Sequence, residues 1–485
     1  MKRGNELRNR FEVTRKSIVW SYAGTIFSMA SNFILLPIIF HFLSSQEIGY
    51  WYLILSINGL IALFDFGFDP AFARNIAYIW SGAKTLKSRG VDQEHDHTAV
   101  NYHLLASTIH AARAIYMILA LVAVILVGIF GTIYMNAFVF SKLPAAEYKW
   151  TWLVFCFSLF LNLYFGYFSA LLRGSGKIDS VNKAQVFSRS LQILLTFGGF
   201  LLYPSILAPV IGLVMYGIIF RTICNHFYWQ DEEVRAHRDA LKSPMNWKEI
   251  KDVFLFIWPN TWRDGLVSMS NYVTSQGMSL MAGAFLPLSV TGVYSVGVQF
   301  ASAIGTAASA INGAYNPILQ SNFVKQDFDS IRDKTSKAVA AYVWLFVIAV
   351  VGTLLVIFPL LKLIKPASVP TLQVFLPLLL YYFLYQQHSV HASYIANANI
   401  IPYTKAFLIS AGTNLLGLWL GLELTDGNMY FLLFFPILVQ GVYNNWRWPS
   451  YYYKMIHSSL FSSIKNGTIA WGKTFANFFK SGSNV

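Results

Sequence analysis

The sequence is poor in charge and in cysteine. Of its 485 residues only 12% are Asp, Glu, Lys or Arg, whereas 55% are hydrophobic. Soluble domains carry about 25% charged residues, so a water-soluble chain of this size is excluded because it could not cover its surface. Only two cysteines are present, Cys156 and Cys224, and both fall within long apolar runs. This placement excludes a disulfide framework and makes them small packing residues.

Several functional signals are also missing. The basic start, Met1 to Lys16, is followed by an apolar run too long for a signal peptide, so we expect no cleaved leader. No phosphate-binding loop is present, so ATP hydrolysis is not expected. The predicted outer loops are short and leave no room for a catalytic domain, which argues against a membrane glycosyltransferase, polymerase or ligase. We therefore predict a protein that is not an enzyme.

Apolar runs of about 20 residues recur along the chain, and each is long enough to cross a bilayer core of about 30 Å as a helix. They predict an all-α polytopic membrane protein with twelve spans, at about 17–43, 50–80, 104–135, 150–172, 184–203, 206–228, 253–285, 290–320, 338–361, 370–396, 402–422 and 428–448.

The basic residues set the predicted orientation. Of 36 Lys and Arg residues, 28 lie on the side of the N-terminus when those at the adjoining span ends, such as Arg221, are counted with it, four lie on the opposite side and four remain within spans. Short loops rich in Lys and Arg stay cytoplasmic, so both termini are predicted to be cytoplasmic. The net charge of +14 is scattered over these loops, which argues against a nucleic-acid partner.

The chain also resembles itself. Phe42–Tyr52 echoes Phe285–Ser295 at an offset of 243, and Gly174–Ala184 echoes Ala396–Ala406 at an offset of 222. The longer polar loop of the first half accounts for part of the difference. Six spans per repeat make the halves parallel repeats around a central cavity.

The predicted organisation follows from the repeat. We expect an N-terminal lobe at 1–235, a cytoplasmic link at 236–252, a C-terminal lobe at 253–450 and an interfacial tail at 451–485.

Four stretches resemble a known family. NFILLP from Asn32, FLSSQEIGYW from Phe42, GLIALFDFGF from Gly59 and LLRGSGK from Leu171 are similar to Wzx-type polysaccharide flippases. These proteins belong to the multidrug/oligosaccharidyl-lipid/polysaccharide (MOP) exporter superfamily.

The resemblance implies two six-helix lobes around a cavity that opens alternately to each side of the bacterial inner membrane. It implies an undecaprenyl-pyrophosphate-linked oligosaccharide as cargo, moved from the cytoplasmic to the periplasmic leaflet for O-antigen or capsule synthesis. Membrane lipids, the polysaccharide polymerase and chain-length proteins are the implied partners.

Apart from Arg221 and Arg447, which are counted at the cytoplasmic ends of their spans, four arginines lie within predicted spans: Arg74, Arg113, Arg189 and Arg263. All four fall in the cytoplasmic half, with Arg113 about 13 Å from the start of its span. Buried charge is costly in a bilayer, by at least about 2.5–3.5 kcal/mol at its centre, and the guanidinium fork suits phosphate oxygens. They are therefore candidate ligands of a pyrophosphate. The alternative is that each one snorkels to the interface or pairs with an acid.

Three carboxylates share these spans. Asp65 and Asp69 lie one turn apart on one helix face beside Gly67 and Pro70, and Asp264 adjoins an arginine. Two like charges this close in a low dielectric suit a carrier of a coupling proton or Na⁺. The alternative is structural, with Asp69 capping a helix that restarts at Pro70, as a hinge. No cofactor is predicted.

Two interpretations of the whole stay open. The first is the lipid-linked oligosaccharide flippase. The second is a cation-coupled drug or small-molecule exporter of the same superfamily, which would favour an acidic cavity, whereas here arginines outnumber carboxylates in the spans by four to three. The pair His95 and His97 has a spacing usable for a metal, but a polar loop explains it, so no metal site is predicted.

Overall fold

The computed structural model describes residues 15–59, 61–65, 67–80, 82, 100–241, 246–398, 400 and 402–482.

Up to Ser275 the described helices are α1 (Arg15–Phe42), α2 (Ser45–Asn58), α3 (Ile61–Phe64), α4 (Phe68–Trp80), α5 (Tyr102–Leu126), α6 (Thr132–Phe138), α7 (Ala146–Tyr164), α8 (Tyr167–Gly174), α9 (Ile178–Leu202), α10 (Leu207–Trp229), α11 (Glu232–Ala236), α12 (Arg238–Leu241) and α13 (Trp247–Ser275). A π-helical turn, Val127–Gly131, joins α5 to α6.

The chain continues with α14 (Gly277–Phe285), α15 (Leu288–Lys325), α16 (Phe328–Gly352), α17 (Phe358–Ile364), α18 (Leu372–Ala396), α19 (Thr404–Leu424), α20 (Met429–Val442), α21 (Asn444–Met455) and α22 (Leu460–Gly482). A second π-helical turn, Thr353–Ile357, joins α16 to α17.

The all-α membrane fold is confirmed. Each of the twelve predicted spans coincides with one helix or with consecutive helices, and the described part of the chain contains no strand. Seven helical segments of that part are long and apolar enough to cross a bilayer by themselves: Tyr102–Phe138, Ala146–Gly174, Leu207–Trp229, Leu288–Asn312, Phe328–Ile364, Pro366–Ala396 and Thr404–Leu424. The second predicted span is not among them because its helix is interrupted at Asp65.

The outer faces of these helices are apolar. Phe130 is 65% exposed, Ile348 is 64% exposed and Leu355 is 72% exposed. Large apolar side chains exposed in rows would aggregate in water, whereas lipid accommodates them. The protein is therefore a multi-pass membrane protein.

The third span of each repeat confirms the internal symmetry. In the first half, α5 has 25 residues, the π turn five and α6 seven; α16, its π turn and α17 repeat these three lengths. The offset between them is 226. This offset is already close to the later value of 222 and well below the earlier value of 243. The decrease arises because the segment between α4 and α5 is longer than the segment between α15 and α16. The longer polar loop therefore explains most of the difference.

The described contacts divide the chain into two compact units, Met1–Tyr272 and Val273–Val485. We call them the N-terminal and C-terminal units, and the boundary falls inside α13. The link predicted at 236–252 and the tail predicted from 451 stay predictions, as do both cytoplasmic termini.

The C-terminal helix α22 packs lengthwise on α16. The carbonyl of Ile456, just before α22, accepts a hydrogen bond from Arg332 near the start of α16 at 3.0 Å. Further along both helices, Trp344 donates its indole N–H to Thr468 at 3.0 Å. From the first contact to the second, the residue numbers increase along both helices, so the two helices run in the same direction. The predicted interfacial segment is thus a helix held by a neighbouring helix.

Candidate functional site

The N-terminal unit contains a partly open cavity of ≈ 470 Å³ among helices that span the membrane. Its walls come from the end of α2, the interruption before α4, and α4, α5, α7, α8, α9 and α10. The charged and amide side chains of its lining are Asn58, Asp65, Asp69, Asn162, Gln185 and Arg189. The structure thus brings three of the predicted site residues, Asp65, Asp69 and Arg189, to one cavity.

Asp65 stands at the interruption of the second span. Gly67 has a φ of +78°, a conformation that glycine adopts without strain, and α4 restarts directly after it. One Asp65 oxygen accepts the Tyr116 hydroxyl at 2.5 Å, and the other accepts the backbone N–H of Asp69 at 3.2 Å. The capping contact therefore belongs to Asp65, and Asp69 makes a different one.

Asp69 forms an ion pair with Arg173 of α8. The pair is partly buried, since the Asp69 side chain is 27% exposed and that of Arg173 is 38% exposed. The other oxygen of Asp69 has no hydrogen-bond partner among the described residues. The cavity therefore holds one carboxylate neutralised by a guanidinium and one, on Asp65, that is hydrogen-bonded to neutral donors.

Arg189 is the arginine of this cavity. Its guanidinium lies over the Tyr216 ring, 4.1 Å from the ring centroid, and donates to Gln192 at 2.9 Å. Within the described part of the chain it forms no ion pair with a carboxylate. Its charge is held by an aromatic face and an amide, which leaves it available to an anion.

The other predicted arginines lie elsewhere. Arg113 lines a second cavity in the same unit, and Arg74 is exposed on α4 and lines neither cavity. The side chains of Arg263 and Asp264 lie outside the described residues, as do His95 and His97. Their predicted roles stay predictions.

The residues that sequence reasoning missed are Arg173, Tyr116, Asn162 and Gln185. Amides inside apolar spans are a usable signal, so Asn162 and Gln185 could have been found. Arg173 was assigned to a cytoplasmic turn, and a tyrosine in a chain this aromatic carries no signal.

No family model and no curated protein sequence matches this chain. Solved structures do. An inward-facing multidrug resistance MATE family transporter of the MOP superfamily matches with a TM-score of 0.57 and 13% identity, over 96% of this chain and 99% of its own. The lipid II flippase MurJ, in an inward closed conformation, matches with a TM-score of 0.52 and 12% identity, over 96% of this chain and 99% of its own. A eukaryotic MATE transporter matches with a TM-score of 0.50 and 13% identity, over 91% of this chain and 99% of its own.

The chain has the fold of the MOP transporters. The superfamily fold that the four stretches predicted is therefore confirmed, while the Wzx-type subtype stays a prediction. All three similar structures are of transporters or flippases, which fits the prediction that this protein is not an enzyme.

Proposed function

We propose that the protein is a flippase that moves an undecaprenyl-pyrophosphate-linked oligosaccharide from the cytoplasmic to the periplasmic leaflet by alternating access. The product would feed polysaccharide synthesis of the O-antigen or capsule type. The fold of the MOP transporters supports a transport function, and the sequence resemblance to Wzx-type flippases supports this cargo.

One observation carries the choice of an anionic, sugar-bearing cargo. Arg189 lies in the cavity with no carboxylate partner among the described residues, whereas Asp69 of the same cavity is paired with Arg173. The amides of Asn162 and Gln185 line the same cavity and offer the donors and acceptors that sugar hydroxyls need. A guanidinium beside amides suits a phosphorylated saccharide.

The alternative is a cation-coupled exporter of drugs or small molecules. The MATE transporter with a TM-score of 0.57 and the two carboxylates of the cavity favour it. An unpaired guanidinium disfavours it, because a cationic cargo would be repelled by Arg189.

The test is export in cells that lack the native gene and carry variants at normal levels. Arg189→Gln should lower surface glycan at least tenfold and leave lipid-linked units on the cytoplasmic side. Arg189→Lys should retain part of the activity because it keeps the charge but loses the planar fork. Arg235→Gln is the matched control, since it removes one exposed charge of α11.

Efflux of a cationic dye, measured in the same cells, separates the two functions. Normal surface glycan in Arg189→Gln together with altered dye efflux would overturn the flippase proposal and favour the exporter.

A further inference from the structure

A second cavity, of ≈ 410 Å³, lies in the N-terminal unit and shares no lining residue with the first. Arg113 and His110 reach it from α5, Tyr167 from α8, Asn225 from α10 and Leu241 from α12. Three membrane-spanning helices and the segment that follows them thus build one pocket. We call it the Arg113 pocket.

Two guanidinium groups lie at the Arg113 pocket, and a third lies over the lining of the first cavity. Arg113 of α5 lines the pocket itself, and Arg221 of α10 lies over the ring of Phe165 at 4.7 Å from the ring centroid. Arg238 of α12 lies over the ring of Trp229, a lining residue of the Arg113 pocket, at 5.5 Å from the ring centroid. In the described part of the molecule none of the three forms an ion pair with a carboxylate.

The carboxylates nearby are engaged with other groups: Asp231 pairs with Lys177 at 2.9 Å, Glu233 accepts the Tyr102 hydroxyl at 2.7 Å, and Glu249 accepts a hydrogen bond from Ser107. The pocket therefore concentrates positive charge that the protein itself does not neutralise. Concentrated positive charge with fork-shaped donors binds phosphate groups.

The position of the pocket indicates which phosphate. Trp229 stands at the very end of α10 and Leu241 belongs to α12, so the pocket reaches the end of the spans, while Arg113 lines it from about 13 Å inside α5. Headgroup phosphates lie at the ends of the spans, outside the apolar core, and tryptophan favours the same layer. This leaflet is the cytoplasmic one in the predicted orientation.

We propose that the Arg113 pocket binds the phosphate group of a resident anionic lipid, at a site separate from the cargo cavity. The chemistry it recognises is a phosphate, whether carried by a lipid or free in solution. A bound phosphate would bridge α5, α10 and α12, and so hold the segment formed by α11 and α12 in place.

That segment is already attached to the same helices. The Asp231 side chain caps α11 by accepting the N–H of Val234 at 3.1 Å. The ring of Tyr102, at the start of α5, stacks on His237 between α11 and α12 at 3.7 Å. The contacts of Asp231 and Tyr102 already hold the start of the α11–α12 segment. Lipid binding therefore adds a further contact to this segment, at Arg238.

The experiment uses the purified full-length protein in a mild detergent, with thermal unfolding as the readout. Phosphatidylglycerol should raise the unfolding temperature by about 2 °C or more at saturation. Inorganic phosphate at the same concentration should have a much smaller effect. Equal stabilisation by inorganic phosphate would assign the pocket to a soluble phosphate and overturn the lipid assignment.

Variants locate the effect. Arg113→Gln and Arg238→Gln should each lose more than half of the phosphatidylglycerol-dependent rise, and Arg113→Lys should keep most of it. Arg235→Gln, the exposed charge of α11, should respond like the unaltered protein. An undiminished response in both glutamine variants, with monodisperse protein, would overturn the proposal. Arg189→Gln should also respond normally, so failure of the flippase proposal and of this one are distinguishable.

Discussion

Arg173 pairs with Asp69 and thereby joins α8 to α4, across 104 residues of sequence. The helices can approach closely because the next residue is glycine. A Cβ on Gly174 would lie 2.6 Å from the carbonyl oxygen of Ala73, so a larger residue would force α8 away from α4. The Leu171–Lys177 stretch thus holds α8 against α4 in the N-terminal unit.

The ion pair should show coupling in a double-mutant cycle. Arg173→Gln leaves a partly buried carboxylate without its cation and should cost about 1–2 kcal/mol of unfolding free energy. Asp69→Asn in the same chain should recover part of that loss, because the unpaired charge is then gone. Thermal or denaturant unfolding of the purified protein measures the four variants. Strictly additive losses would show that the pair contributes no coupling.

Asp65 is predicted to carry the coupling ion. Asp65→Asn keeps the size of the side chain and an acceptor for the Asp69 N–H, so folding should be preserved while the charge is lost. Export should fall at least tenfold and should no longer respond when the ion gradient is collapsed with an ionophore. Tyr116→Phe is the control, since it removes a neutral donor and keeps the carboxylate. Unchanged gradient dependence in Asp65→Asn would remove this carboxylate from the mechanism.

Two glycines of α22 provide a matched pair. A Cβ on Gly467 would lie 1.9 Å from the carbonyl oxygen of Ser336 in α16, whereas a Cβ on Gly472 would meet nothing within 4 Å. Gly467→Ala should therefore destabilise the protein by about 1–3 kcal/mol through overpacking. Gly472→Ala should be neutral or stabilising by up to about 1 kcal/mol, since alanine favours the helix. If Gly467→Ala unfolds at the same temperature as the unaltered protein, α22 does not pack on α16 as described.

The contact between Glu249 of α13 and Ser107 of α5 should depend on pH. The hydrogen bond from Ser107 holds the pKa of Glu249 below its usual value, because it favours the ionised form. Its stabilisation is complete above the usual glutamate pKa of about 4.3 and is lost as the pH falls through the lowered value. The stability advantage over Glu249→Gln should therefore persist from pH 8 to about pH 5 and shrink below about pH 4.

Thermal unfolding at a series of pH values measures this difference, and Asp252→Asn, at an exposed position of the same helix, serves as the control. An advantage that is equal at pH 3 and pH 7 would show that ionised Glu249 gains nothing from Ser107.

The membrane fold was predictable because a bilayer constrains it strongly. A span must satisfy its own backbone hydrogen bonds, so helix length and apolarity suffice to find it. The interruption of the second span was also predictable, from Gly67 and Pro70 beside Asp65. The sequence repeat at Phe42 and Phe285 already indicated two halves.

The site was predictable only residue by residue. Asp65, Asp69 and Arg189 were each found because charge is conspicuous in an apolar run. Their meeting in one cavity, and the separation of Arg113 from them, depend on which helices are neighbours. Arg173 was overlooked because its partner lies on another helix, and no local pattern reports such a contact.

The two π turns, Val127–Gly131 and Thr353–Ile357, also bear on the ancestry of the chain. A π turn arises from one residue inserted into an α-helix, at a cost in hydrogen-bond geometry. Here it follows 25 residues of α-helix and precedes seven in both halves. One insertion before a gene duplication accounts for both, whereas separate origins would need the same event twice at one position. The simplest account is therefore that the wide turn was already present in the six-helix unit that was duplicated.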